Sequence, residues 1–181
     1  MVVVVCLTLV SCALLVLAGG LKVKNPAPTS GAMRALKLPN SLALVRSLGI
    51  AEIVLGIAAA MTGASLLLAL VGVAYVAFAL VVGLALRAGT DIQSCGCFGQ
   101  IDMAPSRLHL VVNVALATVA IIGAIVGLPT LAETLSDQPL AGVPFAVVTA
   151  TAVYLMVIVM TVLPMVSPIR VVQLHNPGRI K

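Results

Sequence analysis

The sequence has no tryptophan, and aromatic residues make up only 3% of its 181 positions. Charged residues are also scarce, at 8%, whereas 62% of the residues are hydrophobic. A soluble domain is usually about half apolar and about a quarter charged. The composition therefore argues against an ordinary soluble domain and indicates an integral membrane protein.

A long basic run is also missing, although the formal net charge is +5. Proteins that bind single-stranded nucleic acid combine a basic groove with aromatic side chains on which the bases stack. Because this chain has neither feature, we expect no nucleic-acid partner and a lipid bilayer as its surroundings.

Five apolar segments are long enough to cross a bilayer, which takes about 20 helical residues. We found no strand pattern and no soluble domain, so we predict an all-α membrane protein, a helical bundle forming a single transmembrane domain over residues 1–181. The first segment lacks a basic start and a convincing cleavage site, which favours a retained helix. The short Thr62-Gly63 turn predicts a tight antiparallel hairpin of the second and third spans. The predicted spans are 2–21, 41–61, 64–86, 108–128 and 143–166.

Lysine and arginine residues fall on one side of the predicted membrane. With five spans, the first connection, the loop 87–106 and the C-terminal tail share that side, and the opposite side has no Lys or Arg. Cytoplasmic loops carry an excess of these residues. We therefore expect a multi-pass protein of the plasma membrane with its N-terminus outside and its C-terminus and the loop 87–106 in the cytoplasm. The residues on this side are Lys22, Lys24, Arg34, Lys37, Arg87, Arg107, Arg170, Arg179 and Lys181.

The four cysteines divide into two pairs. Cys6 and Cys12 lie in the first span, where packing is the expected role because buried free cysteine behaves as a small hydrophobe. Cys6 begins that span at the face opposite the loop, roughly 20 Å away along the helix. It therefore cannot exchange directly with the other pair, Cys95 and Cys97.

Cys95 and Cys97 lie in the polar loop and are separated by Gly96. A disulfide across one residue closes a small, strained ring, and strained, exposed disulfides tend to be labile or catalytic. We predict a redox pair, and with it a thiol–disulfide oxidoreductase activity that accepts electrons from a dithiol partner. Phe98 and Gly99 complete the motif.

Two other interpretations of the loop stay open. The motif is also compatible with an inert turn. A metal-handling loop would need more ligands, since structural zinc usually takes four. Cys95, Cys97 and His109 supply three, and Asp91 or Asp102 would have to supply another.

Polar residues inside the spans form a second candidate site. Glu52 lies near mid-membrane, and an ionisable group at that depth is a functional hypothesis by default. We expect it to act as a proton acceptor or as a polar contact to a quinone. Together with Arg46, His109 and Asn113 it is predicted to line a polar pocket beneath the loop. The alternative for His109 and Asn113 is interhelical hydrogen bonding that holds the bundle together.

Three stretches resemble the MauE/DoxX-like membrane proteins: "LAGGLKVKNP", "AEIVLGI" and "LRAGTDIQSCGCFGQIDMAPSRLHLVVN". The resemblance implies a four-helix DoxX-like core, a redox-associated role in methylamine utilisation and a thioredoxin-like partner. It also implies that Cys95 and Cys97 are the redox pair and that Glu52 is the intramembrane acid of the family. The implied maturation of exported proteins favours a loop outside the cytoplasm, whereas the charge distribution favours a loop inside it.

The leading hypothesis is therefore a membrane thiol–disulfide component that exchanges electrons with a thioredoxin-like protein or a quinone. A second hypothesis is a non-catalytic accessory or assembly subunit of a membrane complex. It predicts that bulky residues at Gly49, Gly56, Gly72 or Gly83 disrupt assembly. A metal-handling loop is the third.

Overall fold

The computed structural model describes residues 2–88 and 106–162, which form helices joined by short connections. Among these residues there is no strand, and α1, α3, α4, α5 and α7 are each long and apolar enough to cross a membrane. The predicted all-α membrane bundle is confirmed. In chain order the helices are α1 (Val2–Lys24), α2 (Ala27–Ala35), α3 (Leu42–Thr62), α4 (Ser65–Ala88), α5 (Arg107–Val126), α6 (Leu131–Ser136), a 3-10 turn (Pro139–Gly142) and α7 (Val143–Thr161).

Local capping signals fix several helix ends. The Ser41 hydroxyl accepts a hydrogen bond from the Leu44 amide at 3.2 Å and begins α3. Ser106 begins α5 in the same way. A serine at this position satisfies an amide that has no partner within the helix. Helix α5 therefore starts directly after Ser106.

Helix α1 lies at the centre of the bundle. It packs against α3, α5 and α7, and half of its most apolar stretch is buried. Helix α7 lies at the edge of the bundle, where only Met160 is fully buried and one face, including Val153 and Met156, packs against the core. Leu14, Leu15 and Cys12 of α1 are almost fully enclosed and form the middle of the apolar core.

The expected tight hairpin of α3 and α4 is wrong. The short turn does join them, but α3 packs mainly along α1, and α4 packs mainly along α5. Glycine explains the first of these pairings. A Cβ atom added to Gly49 of α3 would lie 2.7 Å from the carbonyl oxygen of Gly19 in α1, and one added to Gly56 would lie 2.8 Å from the carbonyl oxygen of Cys12. Small residues at such positions let two backbones approach closely.

The α3–α4 turn and the α5–α6 connection lie against each other at one end of the bundle. Gly63 ends α3 with a φ of 62°, a conformation that favours glycine. A Cβ atom there would lie 2.5 Å from the carbonyl oxygen of Leu128. The α3–α4 turn therefore packs on the α5–α6 connection. The α4–α5 connection, which carries the cysteine pair, leaves from the opposite end.

Candidate functional site

The predicted redox motif lies outside the described residues. Cys95, Gly96, Cys97, Phe98 and Gly99 fall between Ala88, where α4 ends, and Ser106, which caps α5. Helices α4 and α5 pack along each other and are antiparallel. The connection therefore starts and ends at neighbouring points on one end of the bundle.

A buried ion pair between α1 and α3 is the main polar feature of the described residues. Lys22 Nζ donates to both carboxylate oxygens of Glu52, at 2.7 Å to Oε1 and 2.6 Å to Oε2. The two residues are only 2% and 4% exposed. Within the part of the chain that the structure describes, this is the single ion pair.

The two side chains meet because both lean toward the N-terminus of their own helix, as helical side chains do. Lys22 lies in the last turn of α1, so its side chain runs back into the bundle. Glu52 lies about 15 Å along α3, and its side chain points back toward the start of that helix. Since α1 and α3 run in opposite directions, the two charges converge between them. The close contact of Gly19 with Gly49 lies beside this meeting point.

Two aromatic side chains of α4 border the ion pair. Lys22 Nζ lies 4.3 Å from the centre of the Phe78 ring, which is a cation–π distance. Phe78 in turn stacks edge to face with Tyr75, with 5.8 Å between ring centres. The Tyr75 hydroxyl donates to the Ser11 carbonyl oxygen of α1 at 2.7 Å. The ion pair is thereby tied to α4 as well as to α1 and α3.

His109 and Asn113 of α5 are both buried, at 3% and 6% exposure. Nδ1 of His109 lies 2.7 Å from the Ser106 hydroxyl. His109 is therefore held at the start of α5 by the residue that caps this helix. Asn113 lines a small cavity of about 10 Å³ together with Tyr75, Phe78 and Met160.

One of the four residues expected to line a polar pocket is set apart from the other three. Arg46 is exposed on the surface of α3, while Glu52 turns inward to Lys22. Arg46 is separated from the buried group because it lies on another face of the same helix. Arg107 is also exposed, at the first position of α5. The pocket prediction is therefore wrong for Arg46.

The cysteines of α1 are held within the bundle. Cys12 has no exposed surface, and it packs in the apolar core. Cys6 is half-buried, and its Sγ lies 3.4 Å from Thr149 Oγ1 of α7. Both are free thiols. The packing role expected for them agrees with this environment.

Sequence reasoning missed Lys22, Tyr75 and Phe78 as parts of the buried polar group. Lys22 reads as an interfacial charge because it follows the 20-residue apolar segment directly. Lys22 could have been recognised from two facts together: helical side chains tilt toward the N-terminus, and the antiparallel helix α3 carries an acid, Glu52. Tyr75 and Phe78 lie three residues apart on α4, a spacing that puts them on one helix face.

The fold and its buried polar group define the class: a multi-pass, all-α membrane protein with an ion pair held inside the helix bundle. The chain belongs to the MauE family. The family model described as methylamine utilisation protein MauE matches residues 1–126, which span α1 to α5 and include Cys95, Cys97 and Glu52. No curated protein and no solved structure matches the chain. The resemblance to MauE is confirmed, while the DoxX-like core stays a prediction.

Proposed function

We propose that this MauE-family membrane protein is a thiol–disulfide redox component whose reactive group is the Cys95–Cys97 pair. The observation that carries the proposal is the separation of the cysteines. Cys6 and Cys12 are held within the bundle, and Cys95 and Cys97 are alone in a polar connection between two helix ends. A thioredoxin-like protein could approach such a connection, whereas it could not reach Cys12.

The proposed exchange balances two electrons and two protons. A thiolate of the partner attacks one sulfur of the Cys95–Cys97 disulfide and forms a mixed disulfide, releasing the other sulfur as a thiolate that takes up a proton. The second partner thiol then displaces the first sulfur. The partner becomes oxidised to a disulfide, and this chain carries two thiols. A quinone, reduced to the quinol, would accept both electrons and both protons and restore the disulfide.

Glu52 remains our candidate for the intramembrane acid, with one restriction from its surroundings. Both of its oxygens accept from Lys22, and the residue is only 4% exposed. A proton or a quinone would therefore have to compete with Lys22 for an enclosed carboxylate. We therefore propose that Lys22 neutralises the charge of Glu52 as long as no proton or quinone is bound at this site.

The sidedness of the pair is part of the proposal. Burial of Lys22 against Glu52 removes one lysine from the free charges on the cysteine side. The other basic residues there still outnumber the opposite side, which has none. The charge distribution therefore continues to favour a cytoplasmic pair, with the N-terminus outside. The maturation of exported proteins would need the reverse orientation.

Trapping of the mixed disulfide tests the exchange. Single Cys95→Ser and Cys97→Ser variants each leave one sulfur, so one of them should accumulate a disulfide-linked adduct with a dithiol protein on non-reducing gels. Cys12→Ala is the matched control, because its buried thiol should have no effect. If neither loop variant forms an adduct, and both support full oxidation of the partner, the proposal is wrong.

The accessory-subunit function is a second candidate, and among the four glycines considered for its test only Gly83 is suitable. Gly49 and Gly56 pack against α1, and a Cβ atom on Gly72 would lie 2.7 Å from Ile121 of α5. Bulky residues at these three positions would disturb the chain's own bundle rather than a partner. Gly83 faces open space, with 3.9 Å to the nearest atom of Leu110. Loss of a complex in a Gly83 variant, with silent cysteine variants, would favour assembly over redox chemistry.

Metal handling is the third candidate and is tested by metal content. The purified protein would have to lose its metal in a Cys95→Ala variant. His109, the ligand expected from α5, lies at hydrogen-bond distance from Ser106 instead. A metal-free protein with an intact redox pair would support the leading proposal.

A further inference from the structure

A long apolar groove runs between α4 and α5 on the outside of the bundle. Its volume is about 730 Å³, within the usual range of ligand sites, which is about 300–1,000 Å³. Side chains such as Val76, Leu80, Val114 and Ile121 form its walls. From Val76 to Arg87 the groove follows α4 for about 16 Å. A groove of this shape suits a hydrocarbon chain.

Two arginines stand at one end of this groove. Arg87 is in the last turn of α4 and Arg107 is the first residue of α5, so the antiparallel packing puts them at the same end. Both are exposed, and neither has an acidic partner among residues 2–88 and 106–162. Arg107 also lies where the dipole of α5 favours an anion over a cation.

A second apolar groove provides a comparison within the same molecule. It lies between α1, α3 and α7, and its volume is similar, about 680 Å³. No lysine or arginine lines it. The two grooves therefore resemble each other in volume and in apolar walls, but only the α4–α5 groove has a charged end.

We propose that the α4–α5 groove binds an anionic phospholipid, with an acyl chain along the apolar walls and the phosphate between Arg87 and Arg107. Guanidinium groups match phosphate oxygens in bidentate geometry, which makes arginine a preferred phosphate ligand. A neutral quinone headgroup could accept hydrogen bonds from the arginines, but it would not neutralise their two positive charges. The proposal does not depend on the redox chemistry of the cysteine pair.

Gly83 keeps the groove open in its middle. A Cβ atom on Gly83 would meet only the Leu110 side chain, at 3.9 Å. A Gly83→Leu change should therefore fill the groove without pushing on any backbone. This variant blocks the part of the groove that would hold the acyl chain, while both arginines remain.

Lipid retention by the purified full-length protein tests the proposal. Native mass spectrometry would count bound phosphatidylglycerol and phosphatidylcholine with the same acyl chains, titrated into the detergent-solubilised protein. We expect a preference for phosphatidylglycerol that falls about fivefold for each of Arg87→Gln and Arg107→Gln, since a cation beside the bound headgroup contributes about this much to the attraction of an anionic lipid. Gly83→Leu should reduce retention of both lipids.

Arg46→Gln is the matched control, because Arg46 is exposed on the same side of the bundle but does not line the groove. Its lipid preference should equal that of the unchanged protein. Equal retention of the two lipids by the unchanged protein would overturn the proposal. So would an Arg46→Gln effect as large as those of the groove arginines, or displacement of phosphatidylglycerol by a quinone at equal concentration.

Discussion

Replacement of Lys22 by methionine is the perturbation whose effect follows most directly from the structure. It removes the cation from both oxygens of Glu52, at 2.6 and 2.7 Å, in a site that is almost fully enclosed. Breaking a buried pair in this way typically costs about 3–5 kcal/mol, and insertion scales give about 2.5–3.5 kcal/mol for a charge at the centre of a membrane helix. We therefore expect Lys22→Met to lower the free energy of unfolding by about 3 kcal/mol.

The reverse change, Glu52→Gln, should cost less. Lys22 lies in the last turn of α1, and a lysine near a helix end can extend its ammonium group to the interface. Glu52 lies about 15 Å along α3 and has no such route. We expect a loss of about 1–2 kcal/mol for Glu52→Gln, as an unpaired charge that can still reach water is cheaper than one that cannot.

Replacement of both residues distinguishes the contribution of the Lys22–Glu52 interaction from the contributions of the two single residues. Apolar residues of similar volume often replace a buried ion pair at no cost, so Lys22→Met with Glu52→Leu should be close to the unchanged protein. If the single Glu52→Leu variant costs about as much as Glu52→Gln, the cycle gives a coupling energy of about 4–5 kcal/mol. Reversible unfolding in mixed micelles measures all variants, and Lys24→Met, at an exposed position in the same turn, is the control. If Lys22→Met costs no more than Lys24→Met, or if the two single losses simply add, the ion pair does not contribute as described.

Three further predictions concern other parts of the bundle. Gly49→Ala should destabilise the protein by about 1–3 kcal/mol because its Cβ would press on a backbone carbonyl oxygen of α1, whereas Gly20→Ala, which meets nothing within 4 Å, should be neutral or stabilising in the same unfolding assay. Tyr75→Phe should cost about 0.5–1.5 kcal/mol through loss of its hydrogen bond to a main-chain carbonyl of α1; an unchanged stability would contradict that bond. Hydrogen bonds from the Thr130 amide and hydroxyl lower the pKa of Glu133, so this carboxylate stabilises α6 at neutral pH and loses the effect as the pH falls through its pKa. Thr130→Ala should raise that pKa toward the ordinary glutamate value, as followed by the carboxyl carbon shift in an NMR titration.

Much of the fold could be predicted from hydropathy alone, because a bilayer demands about 20 apolar residues per helix. The helices α1, α3, α4, α5 and α7 all lie where an apolar segment is found. Their pairing could not be predicted in the same way. The two-residue turn at Thr62 and Gly63 suggests that α3 packs on α4, but Gly19 and Gly49 let α1 and α3 approach more closely, and that contact depends on three-dimensional register.

In the candidate site, likewise, one residue of the ion pair could be predicted from the sequence and the other could not. Glu52 stands out in sequence because an acid within an apolar run is rare, so its burial could be anticipated. Lys22 does not stand out, because a lysine at the end of a span is normally interfacial. Only the direction of its side chain, back into the bundle toward Glu52, makes it a buried residue.

The redox state of the Cys95–Cys97 pair tests the central claim most directly. A variant with Cys6→Ala and Cys12→Ala carries only this pair, so mass-tagged alkylation of membranes counts its thiols before and after reduction. We predict a pair that is protected in oxidised membranes, gains two tags after treatment with a dithiol, and changes state when a thioredoxin-like partner is added. Two thiols that stay free and unchanged under all of these conditions would contradict the account.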